Sequence, residues 1–354
     1  MKTIMNVDCS NMRILSVGKM NGISNTCVHR NWALQNIADH VDVVDTFYPI
    51  TIWVRILHHL FLKGLAVKIP DFSNANNNIK RFIDDYKYDC VWIDKGITIY
   101  AETLKYIKEK QPTTKIIGYS PDEMSLRHNQ SQQYLECIPY YDFLITTKSY
   151  CISDMIKLGA RNVIFVNNAY EKKFHHIYDM TDDDYLRLGA DVGFVGSYEK
   201  DRCESILYLA EHGIKVTVWG SGKWLKYKNF SKNLDIRDGG LYSEDYPKSF
   251  KAIKISLCFL RKLNFDQQTT RSVEIPACGG FMLAERTDEH LSLFKEDIEA
   301  VYFSSNDELL QKCKYYLEHD DERIAIARAG YRRCLDDDYS NDGMVKRVLD
   351  KILQ

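Results

Sequence analysis

Proline and glycine are scarce in this chain, 7 and 18 among 354 residues. That excludes collagen-like repeats and a Pro/Gly-rich disordered chain, and leaves most of the length free for regular structure. The ten cysteines stand singly, with no CxxC pair and no regular ladder. A disulfide-knotted scaffold and a structural zinc cluster are thereby set aside, and a reducing, cytoplasmic compartment is expected. Long hydrophobic runs are lacking: the most apolar segment, residues 50–67, is broken by Arg55, His58, His59 and Lys63, so no transmembrane span is expected. The opening MKTIMNVDCSNMRILSVG has no continuous apolar stretch of the kind a secretory signal needs. Net charge is scarce too, with 47 Lys and Arg against 49 Asp and Glu. A formal charge of −2 argues against the strong positive field of a non-specific nucleic-acid binder.

What the chain does contain is apolar residue in quantity, 45% of the total against 27% charged, enough for two cores under a soluble surface. MRILSVG, residues 12–18, is a short apolar run ending in glycine, as for an inner strand of a parallel sheet; SNTCVHRNWALQNIA reads as its crossover helix, capped by Ser24 or Asn25. Strands over 41–47, 88–94, 114–120 and 163–166, with helices over AETLKYIKEK and YCISDMIKLG, continue the alternation. The pattern restarts at ADVGFVGS, residues 190–197, and runs through strands at 255–260, 280–285 and 300–303 to a helical end. The restart favours two consecutive Rossmann-like halves over one eight-fold barrel. The expected division is 1–180, 181–337, and a C-terminal helix over 338–354.

The densest chemistry lies in NFDQQTTRSVEIPACGGFMLAER, residues 264–286. A helix beginning near Thr269 puts Arg271 and Glu274 on neighbouring turns, with Asp266 just before it. Such an arrangement can bring one carboxylate to sugar hydroxyls, a guanidinium to a diphosphate and a second carboxylate to a ribose diol; the bland alternative is an exposed helical ion pair. Gly279 and Gly280 allow a backbone to approach a ligand closely, or simply make a turn. In FVGSYEKDR, Gly196 and Ser197 offer backbone N–H groups after a strand and Arg202 can reach a phosphate. Gly220 and Lys223 lie in the VWGSGKW turn, which is not a Walker A motif, and Tyr242 is placed to stack on a base or to pack as an ordinary tyrosine.

The run from Arg271 through Arg286, with the helical ELLQKCKYYLEHDDERIAIARAGYRR after it, resembles the group 1 glycosyltransferases, most of all the spore-maturation CgeB-like branch. The resemblance is strongest over residues 190–340. It implies an α/β GT-B fold of two facing Rossmann-like domains with parallel sheets and an interdomain cleft, the nucleotide sugar being held mainly by the C-terminal domain. Many members carry Glu-x7-Glu; here the pattern is Asp266-x7-Glu274. On the resemblance, Glu274 holds the nucleotide ribose, Asp266 contacts the transferred sugar, and Arg202 with Arg271 takes the diphosphate. It further implies a retaining hexosyl transfer with no cofactor and no divalent metal. Water is excluded as the domains close. A nucleotide-sugar epimerase and a noncatalytic intracellular binding protein are the alternatives.

In the first half, Gly18 and Gly22 flank the loop after the first strand, facing the expected donor cleft. Asp122, in GYSPDE after another strand, is the carboxylate best placed to orient an acceptor, or to act as base were the reaction inverting; helix capping is its other reading. His128 lies close by, and Asp94 with Lys95 reads as a surface pair at a helix opening. Adjacent His58/His59 and His175/His176 lack zinc-ligand spacing. Residues 50–67 suit an amphipathic helix for peripheral contact with the inner face of a membrane, or a buried wall of an acceptor pocket. The acceptor, whether glycan, lipid-linked or protein, has no recognition motif, and the amphipathic C-terminal helix permits either packing across the domains or a homodimer.

Overall fold

The computed structural model describes residues 9–353. The chain forms two compact units, one of residues up to Asn167 with those from Asn341 onward, the other Asn168–Ser340. The division falls at 167/168 where the sequence suggests 180/181, and the final helix is grouped with the first unit.

In the first unit, strands β1 (Arg13–Gly18), β2 (His40–Asp45), β3 (Cys90–Asp94), β4 (Lys115–Ser120), β5 (Phe143–Thr146) and β6 (Val163–Phe165) form an all-parallel sheet in the order β2-β1-β3-β4-β5-β6. The central strands are apolar without alternation because helices cover both faces: every residue of β3 is buried, and so is β1 after Arg13. The helices are α1 (Thr26–Ile37), α2 (Ile52–Leu62), α3 (Ala75–Asp85), α4 (Ala101–Lys110), α5 (Gln132–Cys137) and α6 (Ile152–Lys157). Asn25 caps α1 by accepting from the Cys27 N–H at 3.0 Å.

The second unit repeats the plan with β7 (Ala190–Val195), β8 (Val216–Trp219), β9 (Leu234–Arg237), β10 (Ile253–Cys258), β11 (Met282–Glu285) and β12 (Val301–Phe303), again all parallel, in the order β12-β11-β10-β7-β8-β9. Its helices are α7 (Asp182–Leu188), α8 (Lys200–Glu211), α9 (Asp245–Ala252), α10 (Arg271–Ala277), α11 (Asp288–Leu293), α12 (Asn306–Glu318) and α13 (Asp320–Asp336). Cys203, Ile206, Leu209 and Ala210 put the apolar stripe of α8 into the core with Phe194, Val216 and Leu257. The acidic run Asp182 to Asp184 is the first turn of α7, closed by a capping box between Thr181 and Asp184, where negative charge is favoured by the helix dipole.

The last helix, α14 (Asn341–Ile352), packs on α1 and buries Met344, Val345, Val348, Leu349 and Ile352. Asn36 donates to Asp342 at 3.2 Å across that contact. Its apolar face is used within its own unit and is not open to a second copy.

Candidate functional site

An open parallel sheet creates a crevice beyond the carboxyl ends of its strands where the chain reverses its direction of winding. The strand orders put that point between β1 and β3 in the first unit and between β7 and β10 in the second.

In the second unit the switch point carries two arginines on one aromatic ring. Arg202, in the first turn of α8, is only 4% exposed; its Nη1 donates to the Ser197 carbonyl at 3.2 Å and its Nη2 to the Leu260 carbonyl at 3.1 Å. Arg271 opens α10. The two guanidinium carbons lie 5.5 and 5.7 Å from the centroid of Phe194. Neither Nε–H finds an acceptor, although both are buried. Burial and then the like charge of Arg271 push the Arg202 pKa down. The nearby Glu199 lies 3.6 Å from Arg202 but accepts from Arg261 at 2.8 Å, and Glu285 is paired with Lys262. A cavity of about 210 Å³ opens beside Arg202, lined also by Glu199, Leu260, Lys262 and Glu285. A buried and a half-buried guanidinium, each with an unused Nε–H, are unfavourable together alone and favourable around an anion.

The position of Arg271 is fixed from behind. Ser272 Oγ accepts from the Thr269 N–H at 3.0 Å and lies 2.7 Å from His290 Nε2, while His290 Nδ1 lies 2.6 Å from the Glu285 carbonyl. A carbonyl only accepts, so Nδ1 carries the proton, Nε2 accepts, and Ser272 donates. Buried Gln268 ties the preceding loop to the backbone N–H of Asn168 at 2.9 Å and to Glu289 at 2.8 Å.

Glu274, one turn into α10, is buried. Tyr246 donates to its Oε2 at 2.7 Å, and His175 Nε2 lies 3.5 Å from its Oε1. His175 Nδ1 accepts from the Glu171 N–H at 3.0 Å, so the neutral ring carries its proton on the nitrogen facing Glu274. Burial, and then the like charge of His176, lowers the His175 pKa to about 3, and burial raises that of Tyr246 well above its ordinary value. With a folded pKa below the unfolded one, the unfolded chain takes up the proton first as pH falls. The contribution of a neutral His175 to stability is therefore complete above pH 6.5 and is lost as pH falls from there toward 3. Urea unfolding at about pH 7 and about pH 5 should show His175→Gln losing roughly 2 kcal/mol less than the parent between the two. Equal losses would mean that His175 already titrates normally in the folded chain.

The remaining expected residues separate into two groups. Gly196, Ser197, Gly220, Lys223 and Tyr242 follow the carboxyl ends of β7, β8 and β9, the same edge as the arginines. A Cβ on Gly220 would meet Trp224 at 2.4 Å and the Gly196 carbonyl at 2.8 Å, and that carbonyl accepts from Trp224 Nε1 at 3.0 Å. Gly220 is thus glycine for the packing of Trp224. Lys223 Nζ lies 5.7 Å over Tyr198, and Tyr242 is 71% exposed. Asp266 follows Phe265, whose φ is +52°, and its N–H donates to Arg261 at 3.2 Å. Gly279 and Gly280 lie elsewhere, bordering a cavity of about 430 Å³ with Lys251 and Arg323. They enter β11 at the opposite edge of the sheet, where a Cβ on Gly280 would meet the Phe250 carbonyl at 2.7 Å and Gly279 takes φ +73°.

In the first unit a cavity of about 230 Å³ occupies the switch point, lined in part by Lys19, Cys27, Tyr48, Lys95 and Asp122. Gly18 lets the ends of β1 and β3 converge, since a Cβ there would sit 2.9 Å from that of Asp94; Gly22, at φ +78°, turns the loop before Asn25. Asp122 caps no helix; it pairs with Lys95 at 2.5 Å. Asp94 is no surface residue. It ends β3 and holds Arg30 at 2.6 Å, both side chains 4% exposed, with Trp92 Nε1 donating to it at 3.3 Å. Lys95 and Gly96 follow at φ +61° and +59°, strained at the lysine but not at the glycine, and both line the cavity. His128 lies in a short turn, Arg127–Asn129, and with Lys95 adds to the burial that lowers His58. Among the described residues no three His, Cys, Asp or Glu side chains group as metal ligands, and no helix is long and apolar enough to cross a membrane.

Residues 202–350 match a family model described as glycosyl transferase-like, which is less than half of the chain. No curated protein matches. Among solved structures, an α-glucosyltransferase crystallised with UDP and a mismatched DNA is 13% identical at a TM-score of 0.64, over 97% of this chain and all of the other. Sucrose-phosphate synthase of Thermosynechococcus elongatus is 11% identical at 0.63, over 97% and 99%. HepE of Anabaena, crystallised with UDP and glucose, is 11% identical at 0.61, over 97% and 100%. At such identities the likeness establishes the fold: two Rossmann-like, all-parallel domains of the GT-B architecture.

Proposed function

We propose that this chain transfers a hexosyl unit from a nucleoside-diphosphate sugar to a hydroxyl of an acceptor, with retention at the anomeric carbon and without a divalent metal. The observation that carries the reading is the Arg202–Arg271 pair on Phe194, one guanidinium buried and one half-buried, each with an unused and buried Nε–H, where the strand order puts a ligand. The match of residues 202–350 to a glycosyl transferase-like model supports it, as do the UDP complexes of structures sharing the fold. The CgeB-like branch within that class rests on the Arg271 to Arg286 run alone.

In this reading the guanidiniums take the negative charge that grows on the leaving diphosphate as the bond from its oxygen to the anomeric carbon breaks. Asp266 orients the sugar, and Glu274, aligned by Tyr246 and His175, holds the ribose. The acceptor hydroxyl, oriented by Asp122, attacks from the leaving-group face and passes its proton to the departing phosphate oxygen. Arginine charge serves where other transferases use a cation.

A panel of nucleoside-diphosphate sugars, incubated with the protein with and without chelator and followed by mass spectrometry for released nucleotide, tests this directly. One donor cleaved equally in both conditions, with the product anomer retained by NMR, is the expected result. Inversion would overturn the retaining assignment and make Asp122 the base. A new epimer formed without acceptor would identify an epimerase, and donor binding without turnover across acceptors a binding protein.

A further inference from the structure

Several large apolar side chains on α2 and the segments beside it are exposed. Val54 and Phe61, two turns apart, are the buried face of this helix, and Arg127 clamps it by stacking 4.1 Å over the Phe61 ring and donating to the Phe61 carbonyl at 2.8 Å. The opposite face is open: Ile52 is 70% exposed, Trp53 69% and Ile50 just before them 60%, with Ile56, Leu62 and Leu65 exposed as well. Ile52, Trp53 and Ile56 are neighbours on one face of the helix, and exposed apolar residues of this size need an occupant.

Charge selects the occupant. From Thr46 to Pro70 the chain has no Asp or Glu, while Arg55, Lys63 and Lys68 are cationic. Lys68 pairs with Glu136 at 2.5 Å. Arg55 and Lys63 enter no ion pair among the described residues and flank the open face. A second copy set face to face would oppose these cations with no acid to answer them. A Trp and aliphatic centre edged by Arg and Lys is instead the composition of a helix lying in the interface of an anionic bilayer. The segment is also continuous with the cavity of the first unit, which Thr46 and Tyr48 line while Phe47 between them is exposed.

We infer that α2 docks the protein flat on a membrane surface rich in anionic lipid, with Ile52, Trp53 and Ile56 entering the headgroup boundary. The inference extends the proposed function by having the acceptor hydroxyl presented from the membrane, and it rests on that reading for this consequence only. Vesicle binding and donor turnover are measured apart, so either can fail alone.

The test is flotation of the full chain with vesicles of phosphatidylcholine containing phosphatidylglycerol, and with phosphatidylcholine alone. Binding to the anionic vesicles, weakened by salt, with a blue shift of Trp53 emission, is expected. Ile52→Ser/Ile56→Ser should abolish both the flotation and the shift while leaving the melting temperature and donor turnover in solution unchanged, since neither side chain is packed. Arg55→Gln and Lys63→Gln should each weaken vesicle binding about fivefold. Absence of flotation at low salt by the folded protein would overturn the inference. So would flotation that survives Ile52→Ser/Ile56→Ser, or a concentration-dependent dimer in sedimentation that those substitutions dissociate.

Discussion

Arg271→Gln should lower donor cleavage by about 10²- to 10³-fold in kcat while leaving the melting temperature unchanged or slightly raised. The two halves of that result have one cause. Arg271 makes no hydrogen bond to another described residue, its Nε–H is buried without an acceptor, and its charge stands beside that of Arg202. Removing it costs the folded chain only its place over Phe194 and relieves a like-charge pair. Arg202→Ala should also lose activity, but with a loss of stability, because its Nη atoms hold the carbonyls of Ser197 and Leu260. Leaving two buried carbonyls unpaired costs about 1–3 kcal/mol each. Arg271→Lys should fall between, keeping a charge and losing the planar fork. Nucleotide release against time, with calorimetric titration of the nucleoside diphosphate, reads all three. An Arg271→Gln protein that turns over within about threefold of the parent would remove this pair from the chemistry.

The elements that hold this site were legible because parallel strands buried on both faces write themselves as apolar runs. β1, ended by Gly18, and β7, followed by Gly196, are the clearest cases, and Arg202 lies just beyond β7 in the first turn of α8. Other elements were hidden by composition. β9, LDIR, is an edge strand of four residues whose Asp235 points outward, and ANNNIKRFIDD conceals α3 behind three asparagines. The support of Glu274 was beyond reach for a different reason. His175 and Tyr246 belong to other segments, Tyr246 lying 28 residues away, and only the folded chain brings them together. At Gly279 and Gly280 nearness in sequence to Arg271 is not nearness in the fold. Seven residues of helix carry the chain about 10 Å, from the ligand edge of the sheet to its other edge, so one motif serves two ends of the domain.

Asp94→Asn should destabilise the first unit by about 3–5 kcal/mol, the largest stability effect expected of any single polar substitution in it. In sequence Asp94 and Lys95 look like a surface pair; in the structure the two neighbours part, Lys95 turning to Asp122 and Asp94 inward to Arg30. Arg30 donates to Asp94 at 2.9 Å through Nε and at 2.6 Å through Nη2, and its guanidinium stacks 4.3 Å over Tyr119. Burial alone would lower the pKa of Arg30, yet it is raised, because Asp94 more than compensates. Take away that charge and a guanidinium remains in the core with nothing to balance it. The cost therefore belongs to the orphaned cation and not to the pair, and a cycle separates the two. Arg30→Met/Asp94→Leu, which removes both charges, should regain most of the loss seen in Asp94→Asn, and denaturant unfolding at fixed pH measures each corner. If the double variant is as unstable as the single one, the pair is holding the ends of β1 and β3 at the cavity by its geometry, and Lys95, strained beside it, would lose its position over the cavity with it.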